Sequence, residues 1–541
     1  MRPPAELSTL TDLLARRTRE SPEMCFACFG GRELSYAEFD DRTSRLAGGL
    51  AELGVGPGDV VSVLLPNCLE FLQAWWAILK VGGVFGPVNP AYTSVEAGYV
   101  LGHSRAVAVI TDAAGAVTVA EARAQLPQLR EVITVGSGTP GAISLDELAA
   151  RSSGTPDPGR RPGDLASILY TSGTTGRPKG AMLTHANLLV NTVQVAELVP
   201  LAPGDRVGMI LPLFHANAQL ATTLMPMMIG AEIMMWERFS ASTFWATVAE
   251  LAPVTISAVP TILAAVLNAP GAPGPETSLR YVICGAAPLS VELLRAFSER
   301  FGITVLEGYG LTETACVASL NPYYGERKVG SIGLPLRGQR MEIRTDDGRP
   351  AAPGEYGEIV IAGPNVMAGY LDNPEATAET IREGWLHTGD VGLVDEDGYF
   401  YIVDRSKDMI IRGGENIYPR EIEEVLYGFG GVLECAVIGV PDAVRGEEVL
   451  AVVVPGATGG LDLEALGAHA AQRLARYKLP REYILRDALP KTPTGKIAKG
   501  PLREEFGSWS AGRVPELRTE AAQAAQADGP ARVGTPAGTG G

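Results

Sequence analysis

The segment from residue 170 to residue 180 indicates the fold and the chemistry of this chain, and it reads Tyr170-Thr171-Ser172-Gly173-Thr174-Thr175-Gly176-Arg177-Pro178-Lys179-Gly180. The apolar run Ala166–Tyr170 predicts a buried strand before it, and Asn187–Val195 predicts a helix after it. Glycines let a backbone approach a ligand, while hydroxyls and a lysine supply donors and positive charge. We interpret the segment as a loop that cradles phosphate oxygens. The alternative is a surface loop rich in Ser, Thr and Gly, and the Gly-Lys-Ser/Thr spacing of a Walker A loop is absent.

On both sides of this loop, helix patterns alternate with short apolar runs. Examples are the helical segments Tyr36–Leu53 and Cys68–Val81 and the apolar runs Val60–Leu65, Val107–Thr111 and Val254–Val259. Strands that alternate with helices predict parallel sheets packed between helices, which is an α/β fold. The length of this part favours several subdomains.

The pattern changes after Gly330. Strand patterns separated by Gly and Asp turns predict a β-rich subdomain at about 331–405, which completes an N-terminal domain of residues 1–405. A compact α+β domain follows at 406–507, with a helix that opens at Tyr418-Pro419. Residues 508–541 contain too few apolar side chains to fold, so a disordered tail is predicted there.

The charge balance and the distribution of apolar residues argue against some classes of function. The chain has 541 residues, of which 62 are acidic and 45 basic, giving a net charge of −17. That balance argues against nucleic acid as the main partner. Six scattered cysteines, no apolar leader and uncharged stretches interrupted by proline predict a cytoplasmic protein with no membrane span.

Four further segments carry side chains suited to chemistry. The first contains a tyrosine that can lie against a planar base and a glutamate suited to Mg²⁺. The second ends in an aspartate that can accept hydrogen bonds from ribose hydroxyls, the third is a charged junction, and the fourth holds a lysine on a Thr-Gly turn. Taken alone, each also fits an ordinary turn, linker or solvated charge. The four are Gly308-Tyr309-Gly310-Leu311-Thr312-Glu313-Thr314, Trp385-Leu386-His387-Thr388-Gly389-Asp390, Asp404-Arg405-Ser406-Lys407-Asp408 with Arg412-Gly413-Gly414-Glu415-Asn416, and Pro490-Lys491-Thr492-Pro493-Thr494-Gly495-Lys496-Ile497.

Together and in this order, the five segments resemble the adenylate-forming superfamily of acyl-CoA synthetases, luciferases and peptide-synthetase adenylation domains. The resemblance covers about residues 10–505 and is greatest to fatty-acyl and aryl-acid CoA ligases. It implies that a carboxylic acid and Mg-ATP give an acyl-adenylate and pyrophosphate, and that coenzyme A then gives a thioester and AMP. It also implies a small C-terminal domain that rotates between the two steps, and it allows a homodimer.

The resemblance assigns roles to individual residues. Lys496 and Thr312 would be catalytic at the carboxylate and the α-phosphate, Glu313 would hold Mg²⁺, and Lys407 would be the hinge. Gly413 and Gly414 would line the coenzyme A channel. The residues implied for ATP and AMP are Thr171, Ser172, Gly173, Thr174, Thr175, Gly176, Lys179, Gly285, Ala286, Ala287, Gly308, Tyr309, Gly310, Leu311, Thr312, Asp390, Arg405 and Asn416.

The acyl pocket implied by the resemblance begins at His215, which would contact the carboxylate end of the acid. The alternative for His215 is a packed core histidine. Small residues around it, Ala216, Cys284, Gly285 and Ala315, favour a roomy apolar pocket and hence a long-chain, aromatic or polycyclic acid. No aspartate for an α-amino group appears in this region, which argues against an amino-acid substrate.

Three alternatives share these motifs: an acyl-AMP ligase that loads a carrier-protein thiol, a luciferase-like oxygenase and a catalytically silent regulator. No extra segment between Gly330 and Asp408 marks the first, and retention of Glu313, Asp390 and Lys496 argues against the last. One further feature is a basic segment, residues 473–503, whose nine cationic side chains suggest a surface for nucleotide or coenzyme A phosphates, with a solvated helix face as the alternative.

Overall fold

The fold is given by a computed structural model that describes residues 7–136, 142–152, 158–171, 178–274, 276–405, 408–413, 415–442, 444–456, 461–491 and 497–507. These residues form two compact units, a large one up to residue 405 and a small one from residue 408 to residue 507. Helices and strands are mixed in both, which confirms the predicted α/β class with a large N-terminal and a smaller C-terminal part.

The large unit contains a sheet whose central strands run parallel, as the alternating pattern predicts. Antiparallel strands close both of its edges. In spatial order its nine described strands are Leu334–Pro335, Ser319–Leu320, Thr304–Tyr309, Tyr281–Cys284, Thr255–Ala258, Arg206–Met209, Glu232–Met235, Cys25–Phe29 and Arg32–Ser35.

A second sheet of the large unit is parallel except at one edge, where two strands run antiparallel. Its eight described strands, in spatial order, are Gly369–Tyr370, Lys179–Thr184, Leu165–Thr171, Val84–Pro87, Val60–Leu64, Ala108–Thr111, Glu131–Thr134 and Ile143–Ser144. Parallel strands buried on both faces need continuous apolar runs, which explains why these segments read as strands in the sequence.

One helix, Leu69–Lys80, packs between the two sheets, and all of its residues except Glu70 are buried. The Trp75 ring stacks on Phe85 of the second sheet at 5.1 Å, and the Trp76 ring meets Phe26 of the first sheet at 6.1 Å. An all-round apolar helix is stable only when it is enclosed, so this helix joins both sheets into one core.

The remaining α-helices cover the sheets. Those of the large unit are Leu10–Glu20, Tyr36–Glu52, Ser94–His103, Ala113–Ala122, Leu145–Arg151, His185–Ala196, Ala216–Gln219, Met225–Ile229, Phe244–Leu251, Pro260–Asn268, Val291–Phe301 and Pro374–Thr380, with a π-helical turn at Leu220–Leu224. Those of the small unit are Pro419–Tyr427, Leu463–Ala471 and Lys499–Glu505. In the part of the chain that the structure describes, none is long and apolar enough to cross a membrane.

A β-rich sheet completes the large unit, and all its pairings are antiparallel. Its strands are Arg340–Arg344, Gly357–Ala362, Trp385–Val394, Ile381–Arg382 and Phe400–Arg405. The pattern after Gly330 predicts such a β-rich subdomain, although the segment from Trp385 to Asp390, taken alone, also fits an ordinary turn. The structure places Gly389, with a φ of 71°, inside a ten-residue strand, at the point where the register of its pairing with Gly357–Ala362 shifts.

The small unit packs one sheet between helices. Its strands are Glu415–Ile417, Ile410–Arg412, Gly446–Pro455, Val432–Asp442 and Glu482–Leu485. Alternate side chains of Val432–Asp442 enter two separate cores: Cys435 and Val437 pack with the helices Pro419–Tyr427 and Leu463–Ala471, whereas Ala436 and Ile438 pack with Leu502 and Phe506. Burial on both faces explains the apolar character of these strands.

Candidate active site

The carboxyl ends of four neighbouring parallel strands meet at one edge of the first sheet. The strands are Arg206–Met209, Thr255–Ala258, Tyr281–Cys284 and Thr304–Tyr309. The segments that follow them contain His215, Gly285-Ala286-Ala287 and Gly310-Leu311-Thr312. Open parallel sheets bind ligands at this edge, so three motifs that are distant in sequence meet in one place.

Close backbone approach explains the glycines of this edge. A Cβ atom at Gly310 would lie 1.7 Å from the carbonyl oxygen of Cys316, and a Cβ atom at Gly285 would lie 2.7 Å from that of Gly308. Neither position can hold a side chain without moving the backbone. Ala286, between these strands, adopts a left-handed φ of 67°. The Gly-Tyr-Gly sequence therefore reflects a tight path around Tyr309.

Tyr309 links this edge to the β-rich sheet. Its hydroxyl donates a 2.5 Å hydrogen bond to Oδ2 of Asp390, which is 3% exposed. Asp390 lies directly opposite Arg405 in the strand pairing, and the Arg405 side chain lies outside the described residues. The structure therefore brings together two residues predicted for adenosine recognition, an aromatic ring and a carboxylate.

A carboxylate missed in the sequence supports Asp390. Glu358 accepts a 2.9 Å hydrogen bond from the Gly389 amide and lies 2.7 Å from Nδ1 of His387. The Thr388 hydroxyl donates to the Ile359 carbonyl and accepts from the Asp390 amide. These bonds fix the backbone before Asp390, so its side chain is held in one direction.

The loop that carries Thr312 and Glu313 is held by the helix His185–Ala196. The loop forms one 3₁₀ turn, and left-handed residues follow it at Ala315 and Cys316, with φ of 61° and 140°. The Asn191 side chain donates to the Val317 carbonyl at 2.7 Å and accepts from the Val317 amide at 3.0 Å. Asn191 is fully buried, and its amide replaces the backbone partners that the loop lacks.

The phosphate-loop candidate connects two antiparallel strands. Thr171 pairs with Lys179, and residues 172–177, which include the predicted Ser172, Gly173, Thr174, Thr175 and Gly176, lie outside the described residues. The helix predicted after the loop begins only at His185, because Lys179–Thr184 continues the sheet. The helix His185–Ala196 contains the predicted segment Asn187–Val195, and one additional strand separates it from the loop.

The Tyr370 side chain contacts both Lys179 and Glu313. The Lys179 ammonium lies 5.0 Å from the centre of the Tyr370 ring, and the Tyr370 hydroxyl donates to Oε1 of Glu313 at 2.8 Å. Tyr370 belongs to the strand Gly369–Tyr370, which pairs with Lys179–Thr184. The sequence gave no sign of this tyrosine, since its partners are 57 and 191 residues away along the chain.

His215 begins the short helix Ala216–Gln219 after a loop that is held by Asn67. Asn67 donates to the Leu211 carbonyl at 2.9 Å and accepts from the Leu213 amide at 2.8 Å. His215 is half-buried and its ring lies 4.2 Å from that of Phe214. Asn67 follows the buried strand Val60–Leu64, so a polar side chain at a strand's carboxyl end was the signal that sequence reasoning missed.

Beside His215, Asn217 is also half-buried and is oriented by Ser257. The Ser257 hydroxyl donates to Oδ1 of Asn217 at 2.7 Å. Because the carbonyl oxygen accepts from Ser257, the two N–H donors of the Asn217 amide are its remaining hydrogen-bonding groups.

Of the small residues predicted for the pocket, Ala216 is half-buried, whereas Cys284 and Ala315 are fully buried in the main core. Burial raises the pKa of the Cys284 thiol well above its usual range, so this thiol stays protonated.

In the small unit, Gly413 has a φ of 64°, and a Cβ atom there would meet no atom within 4 Å. The hairpin that carries it is anchored by Glu448, which lies 2.8 Å from the guanidinium of Arg412 and 2.9 Å from that of Arg445. The predicted residues Lys407, Gly414 and Lys496 and the side chain of Asn416 lie outside the described residues.

The basic segment 473–503 is partly neutralised by ion pairs. Carboxylates from other parts of the small unit lie within ion-pair distance of five of its nine cations. The pairs are Lys478–Glu421, Arg486–Glu505, Lys491–Glu434, Lys499–Glu423 and Arg503–Asp408. The local charge count in the sequence overestimated the positive surface, because these partners are distant along the chain or flank the segment.

Comparison with known proteins agrees with this geometry. The profile of the AMP-binding enzyme family matches residues 14–371, and that of the AMP-binding enzyme C-terminal domain matches residues 421–496. Feruloyl-CoA synthase of Amycolatopsis sp is 42% identical, covering 91% of this chain and 98% of the relative, and sulfoacetate–CoA ligase of Cupriavidus necator is 40% identical, covering 92% and 97%. The crystal structure of the anthranilate CoA ligase AuaEII with anthranoyl-AMP superposes with a TM-score of 0.87 at 26% identity, covering 93% of this chain and 98% of that one.

Proposed function

Because the chain belongs to the AMP-binding enzyme family and is an AMP-forming acid–CoA ligase, we propose that its acid is aromatic and carries an oxygen substituent. The observation that carries this proposal is the half-buried Asn217 amide, two residues from His215, whose oxygen accepts from Ser257 so that its N–H donors remain for a ligand. An oriented donor in a pocket selects an acid that offers an acceptor. The relatives named for feruloyl and anthranoyl groups support an aromatic acid, although the one named for sulfoacetate binds a small anion.

In the first step the acid's carboxylate oxygen attacks the α-phosphorus of ATP, and pyrophosphate leaves with the electron pair of the broken bond. Lys179 and the loop before it hold the phosphates, and Thr312 contacts the α-phosphate. Tyr309 contacts adenine and Asp390 accepts from ribose hydroxyls. Lys496 places positive charge between the carboxylate and the α-phosphate, where two negative reactants have to meet.

A magnesium ion fits this site through Glu313. Within the described ranges, no three His, Cys, Asp or Glu side chains cluster tightly enough to hold a metal ion by themselves. Magnesium in nucleotide enzymes is usually held by one or two carboxylates together with substrate phosphates, and Glu313 is a half-buried carboxylate with one oxygen engaged by Tyr370. The bound ion would neutralise charge on the phosphates.

In the second step the coenzyme A thiol, as the thiolate, attacks the acyl carbon and AMP leaves. We assign the channel for its pantetheine arm to Gly413 and Gly414, since a Cβ atom at Gly413 would meet nothing within 4 Å. Rotation at Lys407 exchanges Lys496 for this channel between the two steps.

A panel of acids tests the proposal. Cinnamate, 4-hydroxycinnamate, ferulate, benzoate, hexadecanoate and sulfoacetate are each incubated with Mg-ATP, with and without coenzyme A, and pyrophosphate and thioester are measured. We expect the oxygenated aromatic acids to give the highest kcat/KM. Faster turnover of hexadecanoate or sulfoacetate would refute the aromatic assignment.

Variants distinguish a role of the Asn217 amide in substrate selection from a general loss of activity or stability. Asn217→Leu should lower kcat/KM for 4-hydroxycinnamate about tenfold and leave that for cinnamate nearly unchanged, because only the former loses a hydrogen bond. Ser257→Ala should give a smaller loss with the same selectivity, since it only frees the amide to rotate. Asn268→Ala, at an exposed asparagine that bonds its own helix, is the control. Equal losses for both acids would contradict the assignment of Asn217.

A further inference from the structure

Tyr370 stands between two oppositely charged groups of the nucleotide site. Its hydroxyl donates to Oε1 of Glu313 at 2.8 Å, and the Lys179 ammonium lies over its ring at 5.0 Å from the centroid. The side chain is 8% exposed. The Thr377 hydroxyl accepts from the Tyr370 amide at 2.9 Å, and the strand pairing places Tyr370 opposite Ala181. The position of the ring is therefore fixed by the hydrogen bonds of its backbone and by the burial of its side chain.

The arrangement keeps the lysine and the glutamate apart. No described carboxylate, Glu313 included, lies within the 4.0 Å ion-pair distance of the Lys179 ammonium. A lysine that binds phosphate must not be engaged in an ion pair with a carboxylate. A carboxylate that binds a metal ion must keep at least one oxygen free for it. A direct Lys179–Glu313 ion pair would occupy both at once, and an aromatic ring separates them while still attracting the cation.

We propose that Tyr370 is a positioning residue that prevents Lys179 from pairing with Glu313 and directs one carboxylate oxygen of Glu313 to the divalent cation. This inference rests on the proposed role of Glu313 as the magnesium ligand. The hydroxyl occupies Oε1 and leaves Oε2 for the cation, while the ring holds the ammonium ready for phosphate. Adenylate formation depends on both effects, and attack of coenzyme A on a finished acyl-adenylate depends on neither.

Two substitutions separate the two effects. Tyr370→Phe removes the hydroxyl but keeps the ring, so it should weaken divalent-cation binding about tenfold while the KM for ATP changes little, because a hydrogen bond to a charged group is lost. Tyr370→Leu removes the spacer as well, so the KM for ATP should rise a further several-fold as Lys179 pairs with Glu313. Mn²⁺ affinity is measured by electron paramagnetic resonance with the enzyme and an ATP analogue that cannot be cleaved at the α-phosphate.

The controls distinguish positioning from stability. Tyr401→Phe is the matched variant, since its hydroxyl donates to the Asp395 carboxylate at 3.1 Å in the β-rich sheet, and it should bind Mn²⁺ normally. Glu313→Gln should abolish the binding of Mn²⁺ that depends on the enzyme. Tyr370→Phe should discharge supplied acyl-adenylate to coenzyme A at the wild-type rate.

Unchanged Mn²⁺ affinity in Tyr370→Phe would overturn the proposal, and so would an equal loss in both half-reactions. Because the Mn²⁺ measurement contains no acid, it stands even if the aromatic substrate assignment fails. If Glu313→Gln binds Mn²⁺ normally, the metal site of the proposed function is wrong and the role of Tyr370 falls with it.

Discussion

Acidification should destabilise the large unit through one buried histidine. His185, at the first turn of the helix that carries Asn191, is 1% exposed, and its Nδ1 accepts a 3.2 Å hydrogen bond from the Leu10 amide. Burial lowers the pKa of His185 from 6.5 to about 4, and the positive charge of Arg160 acts in the same direction. Nearby Asp164 and Asp12 oppose the shift more weakly. The folded chain therefore keeps His185 neutral.

The sign of the pH effect follows from these two pKa values. Below pH 6.5 the unfolded chain binds a proton at this histidine and the folded chain does not, so stability that is complete above pH 6.5 is lost as the pH falls towards 4. At pH 5, relative to pH 8, the loss is roughly 2 kcal/mol for a shift of this size. A charged imidazole would also lose its bond to Leu10, because both of its nitrogens would then be donors.

Urea denaturation at pH 8 and pH 5, followed by tryptophan fluorescence, measures this loss. Five of the six tryptophans belong to the large unit, so the signal reports mainly on its unfolding. His185→Asn keeps an acceptor near the position of Nδ1 and removes the titration. We expect the wild-type protein to lose about 2 kcal/mol more than the variant between the two pH values. Equal losses in both proteins would refute the reasoning, because all other titrating groups are shared.

Two further predictions concern the loop that carries Thr312 and Glu313 and the lysine proposed to be catalytic, Lys496. Asn191→Leu should lower the free energy of unfolding by about 2–4 kcal/mol and slow adenylate formation, because the Val317 amide loses its partner and the Val317 carbonyl keeps only Gln339. Thr192→Val is the control, since its hydroxyl bonds only within the same helix, and equal rates in the two variants would contradict this role. Lys496→Ala should strongly suppress pyrophosphate release while affecting thioester formation from supplied acyl-adenylate much less; equal losses in both half-reactions would exclude the assignment.

The sequence alone determined the family and the fold class and located the motifs proposed for adenosine binding, because short motifs and apolar runs depend on local chemistry. Glycine at position 310 is required by a backbone contact a few residues away, so a short motif reports it. The apolar runs identified the buried strands for the same reason, since burial on both faces excludes polar side chains. In contrast, the sequence motif singled out Asp390 as a candidate, but only the folded structure showed that its carboxylate accepts a hydrogen bond from Tyr309.

Only the tertiary structure decided which distant side chains meet. Tyr370 between Lys179 and Glu313, Asn191 on Val317, and Ser257 on Asn217 are pairings between elements far apart in the chain. Folding reduces the positive charge of the basic segment, because carboxylates from other elements of the small unit pair with four of its cations. Such contacts depend on how sheets and helices pack against one another, and local sequence patterns do not record distances between elements.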